Sequence, residues 1–154
     1  MQYLKILVLF ILPFTVSAQI YTGKIISVKD GDSFELLTEE DEIIEIRLAH
    51  VDTPEKKQPY GKASKVFAAN LVWGHIVTAT QTDTDRYKRK ICIVEANGRI
   101  LNLELVRAGF AWHFKKYSED RRYSRAEKVA KARKVGLWKQ SNPIAPWDAR
   151  KRKK

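Results

Sequence analysis

The sequence predicts an α+β domain that is mainly β: a small barrel of five short strands with helices at its side. Three observations carry this expectation. The chain has 154 residues, 44% of them hydrophobic, enough for one real core and too few for two domains. Five segments have strand character, and three of them precede the first helical segment. No internal repeat is present, so the layers must come from one domain.

Residues 1–18, MQYLKILVLFILPFTVSA, have the form of an export signal. Lys5 precedes an apolar run from Ile6 to Val16, and Val16-Ser17-Ala18 is a small-residue cleavage site. The run is about half of the ~20 residues a spanning helix needs, and Pro13 interrupts it. A mature chain starting at Gln19 is therefore expected in the periplasm or the medium, without stable membrane association after cleavage. Residues 19–140 form the expected domain, and 141–154, ending in ARKRKK, a basic tail.

Tyr21 to Lys29 reads as the first strand, Asp30-Gly31 as a two-residue hairpin turn and Ser33 to Leu37 as the returning strand. Glu42 to Leu48 alternates, with Ile44, Ile46 and Leu48 on a buried face and Glu45 and Arg47 on the other. Tyr60 to Val72 is helical in pattern. His75 to Gln81 and Lys88 to Glu95 are the fourth and fifth strands, with a turn at Asn97-Gly98. Leu101 to Ala108 reads as a short helix stopped by Gly109. For the last helix, Ser124 and Glu127 have capping-box spacing and Gly136 stands just past the expected end.

The lone cysteine, Cys92, lies in the apolar run ICIV and reads as a reduced core residue. His50, His75 and His113 are scattered without metal-ligand spacing, which argues against a zinc site. Residues 83–90, DTDRYKRK, fail the calcium-loop pattern, because Lys88 and Val94 stand where Gly and Glu are needed. They leave a basic loop in which Arg89 shares a strand face with Ile91 and Ile93.

Charge is divided along the chain. Residues 19–60 have five Lys/Arg against ten Asp/Glu, net −5, whereas residues 61–154 have 23 against eight, net +15. That asymmetry suits a cation site facing a polyanion, and equally a solvated basic surface.

The segment RLAHVDTPE, residues 47–55, has two readings. Thr53, Pro54 and Glu55 could open a helix, but Pro59 would end it within little more than a turn. Alternatively Asp52 and Glu55 supply hard oxygen atoms beside Arg47, with Asp32 brought near by the hairpin. By itself, the DGD of residues 30–32 is ordinary turn chemistry.

In order along the chain, DGDSF, RLAHVDTPE, YGKAS, DRYKR and LVRAGFAW, followed by a basic helix ending in GLW, resemble the staphylococcal nuclease (thermonuclease) family over residues 20–140. The resemblance implies a five-stranded OB-fold barrel with three helices and a Ca²⁺-dependent phosphodiesterase acting on DNA and RNA, expected to be a monomer. It matches Asp32 and Asp52 to the metal carboxylates and Thr53 to a backbone-carbonyl ligand. Arg47 and Arg89 match the phosphate-binding arginines, and Glu55 the general base. Arg86 and Tyr87 fall at the nucleotide's terminal phosphate, and Tyr117 is the nearest equivalent of a downstream aromatic contact. Lys88 departs from the glycine of the family's type protein. The alternatives are a noncatalytic OB-fold nucleic-acid-binding module and a basic envelope protein binding acidic polymers.

Overall fold

The computed structural model describes residues 18–152; the export signal expected over residues 1–18 lies, apart from Ala18, outside the described residues. The elements are β1 (Ile20–Val28), β2 (Ser33–Thr38), β3 (Ile43–Leu48), β4 (Val51–Asp52), α1 (Gly61–Val72), β5 (Ile76–Thr84), β6 (Lys90–Ala96), β7 (Arg99–Ile100), α2 (Leu101–Arg107), β8 (Trp112–His113), α3 (Arg121–Ala132) and α4 (Pro146–Lys151). Each of the five expected strands is present, and β7 extends the sheet beyond β6.

The five long strands close on themselves. β1 pairs antiparallel with β2 and β5, β2 with β3, and β5 with β6, while a parallel pairing of β3 with β6 completes the circuit. Among the described residues closure leaves no long free edge, and it requires the strands to curl. β1 and β5 each carry a register shift, at Ile25/Ser27 and Gln81/Asp83, where an extra residue bends the strand. The result is a mainly β barrel with helices at its side, an OB-type fold.

Phe34, Leu36, Ile46, Leu48, Cys92 and Val94 fill the barrel and are almost wholly buried. Alternation along β3 is as expected, with Ile46 and Leu48 inward and Arg47 on the opposite face. Cys92 is free and buried, and burial pushes its thiol up to about 12, so it is inert packing.

Asn102 is a core polar residue that the sequence pattern did not reveal. Its amide donates to the Ala49 and Cys92 carbonyls at 2.9 and 3.0 Å, and its side-chain oxygen accepts from Val94 N–H at 2.9 Å. All three contacts satisfy backbone groups where β3 has run out beside β6, tying α2 to the barrel.

Two local expectations are corrected. The hairpin between β1 and β2 is not a two-residue turn: Lys29 N–H donates to Ser33 O at 2.9 Å, so residues 29–32 span it. Gly31 lies outside the left-handed region; it is glycine because a Cβ there would meet Ser64 Oγ of α1 at 2.1 Å. Likewise, α3 starts at Arg121, capped by Asp120, whose carboxylate accepts from Arg122 N–H at 2.9 Å. Ser124 and Glu127 are inside the helix and turn toward β8 instead, and Gly136 lies beyond the end of α3 at Ala132.

Candidate active site

The barrel brings Asp32, Arg47 and Asp52 together through backbone pairing. Ser33 stands opposite Arg47, and Leu48 N–H donates to the Asp32 carbonyl at 2.9 Å, which sets the hairpin loop against the end of β3. The chain then turns through His50 into β4, where Asp52 pairs with Trp112 of β8. β8 is held in turn by α3, since Glu127 accepts from His113 N–H at 3.1 Å. Asp52 is therefore positioned by a barrel strand on one side and by a helix on the other.

The side chains follow from that backbone. Arg47 Nη2 donates to Asp52 Oδ1 at 2.8 Å, and its Nη1 lies 3.4 Å from Asp32 Oδ1. Asp32 also accepts from Thr53 N–H at 2.9 Å and from the Ser33 hydroxyl at 3.1 Å. The two carboxylates are nearly sealed, with side-chain exposures of 3% for Asp32 and 1% for Asp52. Burial pushes the Asp52 carboxyl up, and the Arg150 and Arg47 guanidinium groups offset this only in part. Burial pulls Arg47 the other way, but the charges of Asp32 and Asp52 outweigh it and hold the guanidinium firmly charged.

Asp30 belongs to this cluster and was missed by the sequence reading, which treated it as turn chemistry. Its Oδ1 accepts from Asp32 N–H at 3.1 Å. Burial and the adjacent Asp32 charge push its carboxyl up to about 6. The only signal was the doubled acid in DGD, which a turn explains equally well.

Glu55 sits in the irregular stretch after β4, and no helix begins at Pro54. Gln58 holds this loop by accepting from Glu55 N–H at 2.8 Å. The Glu55 carboxylate is joined to Asp52 by Arg150, which bonds Glu55 Oε1 at 2.7 Å and Asp52 Oδ2 at 2.6 Å. Arg150 is the second residue missed, because it comes from the segment read as a basic tail. Residues 146–151 form α4, with Pro146 at its start, Asp148 in its first turn and Arg150 and Lys151 in its last. These are helix signals that a run of basic residues obscured.

The remaining expected residues have partners other than the Asp32, Asp52 and Glu55 carboxylates. Arg89 precedes β6, and the parallel register of Arg47 with Ile91 puts it on the same side of the barrel wall as Arg47. Its guanidinium is engaged by Asp85, through Nε at 2.8 Å and Nη2 at 2.7 Å. Asp85 also accepts from the Tyr87 and Arg89 backbone N–H groups at 2.8 and 3.0 Å, so one carboxylate organises the whole loop. Arg86 bonds the Tyr87 hydroxyl at 2.7 Å and lies over its ring. Lys88 adopts φ 68°, the left-handed conformation that glycine takes without strain. Tyr117 is exposed, packed edge-on against Phe114 and away from the carboxylates' hydrogen-bond network.

Among the described residues, no group of three or more His, Cys, Asp or Glu side chains is arranged as a metal cage. Asp32 and Asp52 do fit a less complete site. Each directs one oxygen to the same guanidinium, so the pair faces a common cationic position. Two hard carboxylate donors suit a divalent ion that takes its other ligands from backbone oxygen, water and substrate.

Comparison with known proteins agrees with this geometry. A family description, staphylococcal nuclease homologue, matches residues 45–140. A Haemophilus influenzae protein named as an uncharacterized endonuclease is 36% identical over 150 residues, covering 97% of this chain and 84% of that protein. An Escherichia coli protein of the same description is 38% identical over 148 residues, 96% of each chain. The Arabidopsis thaliana staphylococcal-like nuclease CAN1 is 35% identical over 109 residues, 71% of this chain and 34% of the plant protein. Placed beside the buried Asp32–Arg47–Asp52 cluster on an OB-type barrel, these matches show that the chain belongs to the staphylococcal nuclease homologue family.

Proposed function

We propose that the protein is an exported nuclease that hydrolyses phosphodiester bonds of DNA and RNA, with Ca²⁺ as its metal. The observation that carries the reading is the convergence of Asp32 and Asp52 on Arg47, with Glu55 beside Asp52. The carboxylates of Asp32 and Asp52 and the backbone carbonyl of Thr53 would hold the ion, which would supply positive charge at the reacting phosphate.

The rest of the chemistry belongs to the chain. Arg47 keeps a fixed positive charge at the phosphate oxygens, and Arg89 adds a second fork once it exchanges Asp85 for the substrate. Glu55 accepts the proton of the attacking water, whose oxygen forms a new bond to phosphorus while the ester bond to the leaving oxygen breaks. Arg86 and Tyr87 hold the nucleotide's terminal phosphate. The rings of Tyr87 and Tyr117, both well exposed, stack on bases without reading their identity. Backbone charge and stacking, rather than base edges, then set affinity, so sequence selectivity is low. The protein works as a monomer.

Incubation with single- and double-stranded DNA and RNA, with Ca²⁺ or with chelator, tests this. Cleavage of all four with Ca²⁺, and of none in chelator, is the expected result. Binding without cleavage in either condition would favour a noncatalytic nucleic-acid-binding module. Glu55→Gln should keep the fold and lower kcat by ~10² to 10⁴, because an amide cannot accept the proton. Parental turnover in that variant would remove Glu55 from the mechanism.

A further inference from the structure

Both oxygens of Asp52 are occupied by guanidinium groups from different parts of the chain. Oδ1 accepts from Arg47 Nη2 at 2.8 Å and from Arg150 Nη1 at 3.2 Å, and Oδ2 accepts from Arg150 Nη2 at 2.6 Å. Arg150 Nη1 also bonds Glu55 Oε1 at 2.7 Å. Arg150 thus occupies an oxygen of each carboxylate that a metal ion and a proton would need.

The two arginines differ in how they are held. Arg47 is part of a barrel strand and its side chain is 19% exposed; Arg150 is on a six-residue helix and its side chain is 41% exposed. A helix that short does not persist by itself and depends on its docking contacts. Pro146 is buried at its start, and aromatic contacts hold the turn that follows. The Trp147 ring stacks on Phe114 at 5.1 Å and meets Trp112 edge-on at 5.7 Å, and Gln58 Nε2 donates to the Ile144 carbonyl at 3.2 Å. A divalent ion on Asp52 and a guanidinium on the same oxygens compete for lone pairs and repel one another at contact distance.

Resting on the metal-site reading above, we infer that Arg150 sets the metal affinity of this enzyme: it serves as the resident counter-cation of Asp52 and Glu55, and metal binding displaces it and loosens α4. Metal uptake therefore frees Glu55 to accept a proton and leaves Arg150 at the rim. In the metal-free protein the same bonds neutralise carboxylates that are otherwise crowded with like charge.

Calorimetric titration of Ca²⁺ without nucleic acid tests this on the parent protein, Arg150→Ala, Arg150→Lys and Trp147→Ala. Arg150→Ala should bind Ca²⁺ at least ~10-fold more tightly, the equivalent of losing one charge-assisted competitor. Arg150→Lys should fall between the two, having a point charge without the fork. Trp147→Ala, which unseats α4 without touching a carboxylate, should move in the same direction as Arg150→Ala. In the parent, Ca²⁺ should speed amide exchange across residues 146–151. Tight Ca²⁺ binding that is unchanged or weaker in Arg150→Ala, with α4 exchange indifferent to the ion, would make Arg150 a fixed brace and overturn the inference alone. Absence of Ca²⁺ binding by all four proteins would overturn the metal reading and the inference together.

Discussion

Two carboxylates, Asp52 and Asp85, are each bonded by arginine, yet their ionisation is shifted in opposite directions. Asp52 is 1% exposed, has two guanidinium partners, and is pushed up. Asp85 is 18% exposed, has one, and is held below the usual carboxylate range by Arg89 and by two backbone N–H groups. The number of cations does not decide the sign; the depth of burial and the neighbouring carboxylate do. Burial raises both carboxyls; at Asp85 the Arg89 guanidinium and the two backbone N–H groups outweigh it, whereas at Asp52 deeper burial and the charge of Asp32 outweigh two guanidinium groups. The barrel site is a strained store of negative charge, and the Asp85 loop is a relaxed one.

The largest expected contrast comes from removing one arginine at each place. Arg47→Ala leaves Asp32 without its guanidinium and Asp52 with only Arg150, and should cost about 3 kcal/mol in urea unfolding done in chelator. Arg89→Ala removes a partly solvated pair and should cost about 0.2–1 kcal/mol. Equal losses would abolish the distinction between a strained site and a relaxed one.

Neutralising an acid sharpens the comparison. Burial and the adjacent Asp32 charge raise the Asp30 carboxyl from its ordinary value of 3.8 to about 6. A raised carboxyl binds its proton more tightly in the folded chain, so folding is favoured below about pH 4 and loses that advantage as pH rises through about 6. Asp30→Asn should consequently stabilise the metal-free protein by about 1–3 kcal/mol at pH 7 to 8, with no gain below about pH 4. Thermal melts against pH in chelator measure this, and a destabilised variant at neutral pH would mean that the acidic cluster is not strained.

Asp85 should show the reverse sign. Its carboxyl is lowered, so its contribution is present above the unfolded value and is lost as pH falls through the folded one. Asp85→Asn should cost about 1 kcal/mol at pH 7 and little in strong acid, by the same melts. The smallest effect is at Lys88, whose φ of 68° strains any residue with a Cβ. Lys88→Gly should gain about 0.5–1 kcal/mol, and a loss would show that the lysine side chain braces the loop.

Much of the barrel was legible because its signal is local. Ile46 and Leu48 alternate with Arg47, and period-2 alternation states which face a strand buries. The helix starting near Tyr60 and the short helix ending before Gly109 were legible for the same reason. Asp120 was overlooked as the cap of α3 because Ser124 and Glu127 satisfied the capping-box spacing, and only the neighbouring β8 shows why those two side chains point elsewhere. Asn102 offered no signal, since a buried amide is recognisable only by the carbonyls it meets.

The active-site cluster divides along the same line. Asp32, Arg47, Asp52 and Glu55 could be nominated from a hairpin, an alternating strand and the short acidic segment after it, because strand register restricts where each residue lies to within a few ångströms. The sequence alone also determined that the shorter segment 19–60 is acidic and the longer segment 61–154 basic. The protonation of Asp30, the opposite shifts of Asp52 and Asp85, and the arrival of Arg150 across 98 residues of sequence were decided by tertiary structure only. The physical reason is that a charge's energy depends on how much water is removed from it and on which distant groups are packed against it, and neither quantity exists until the chain has folded.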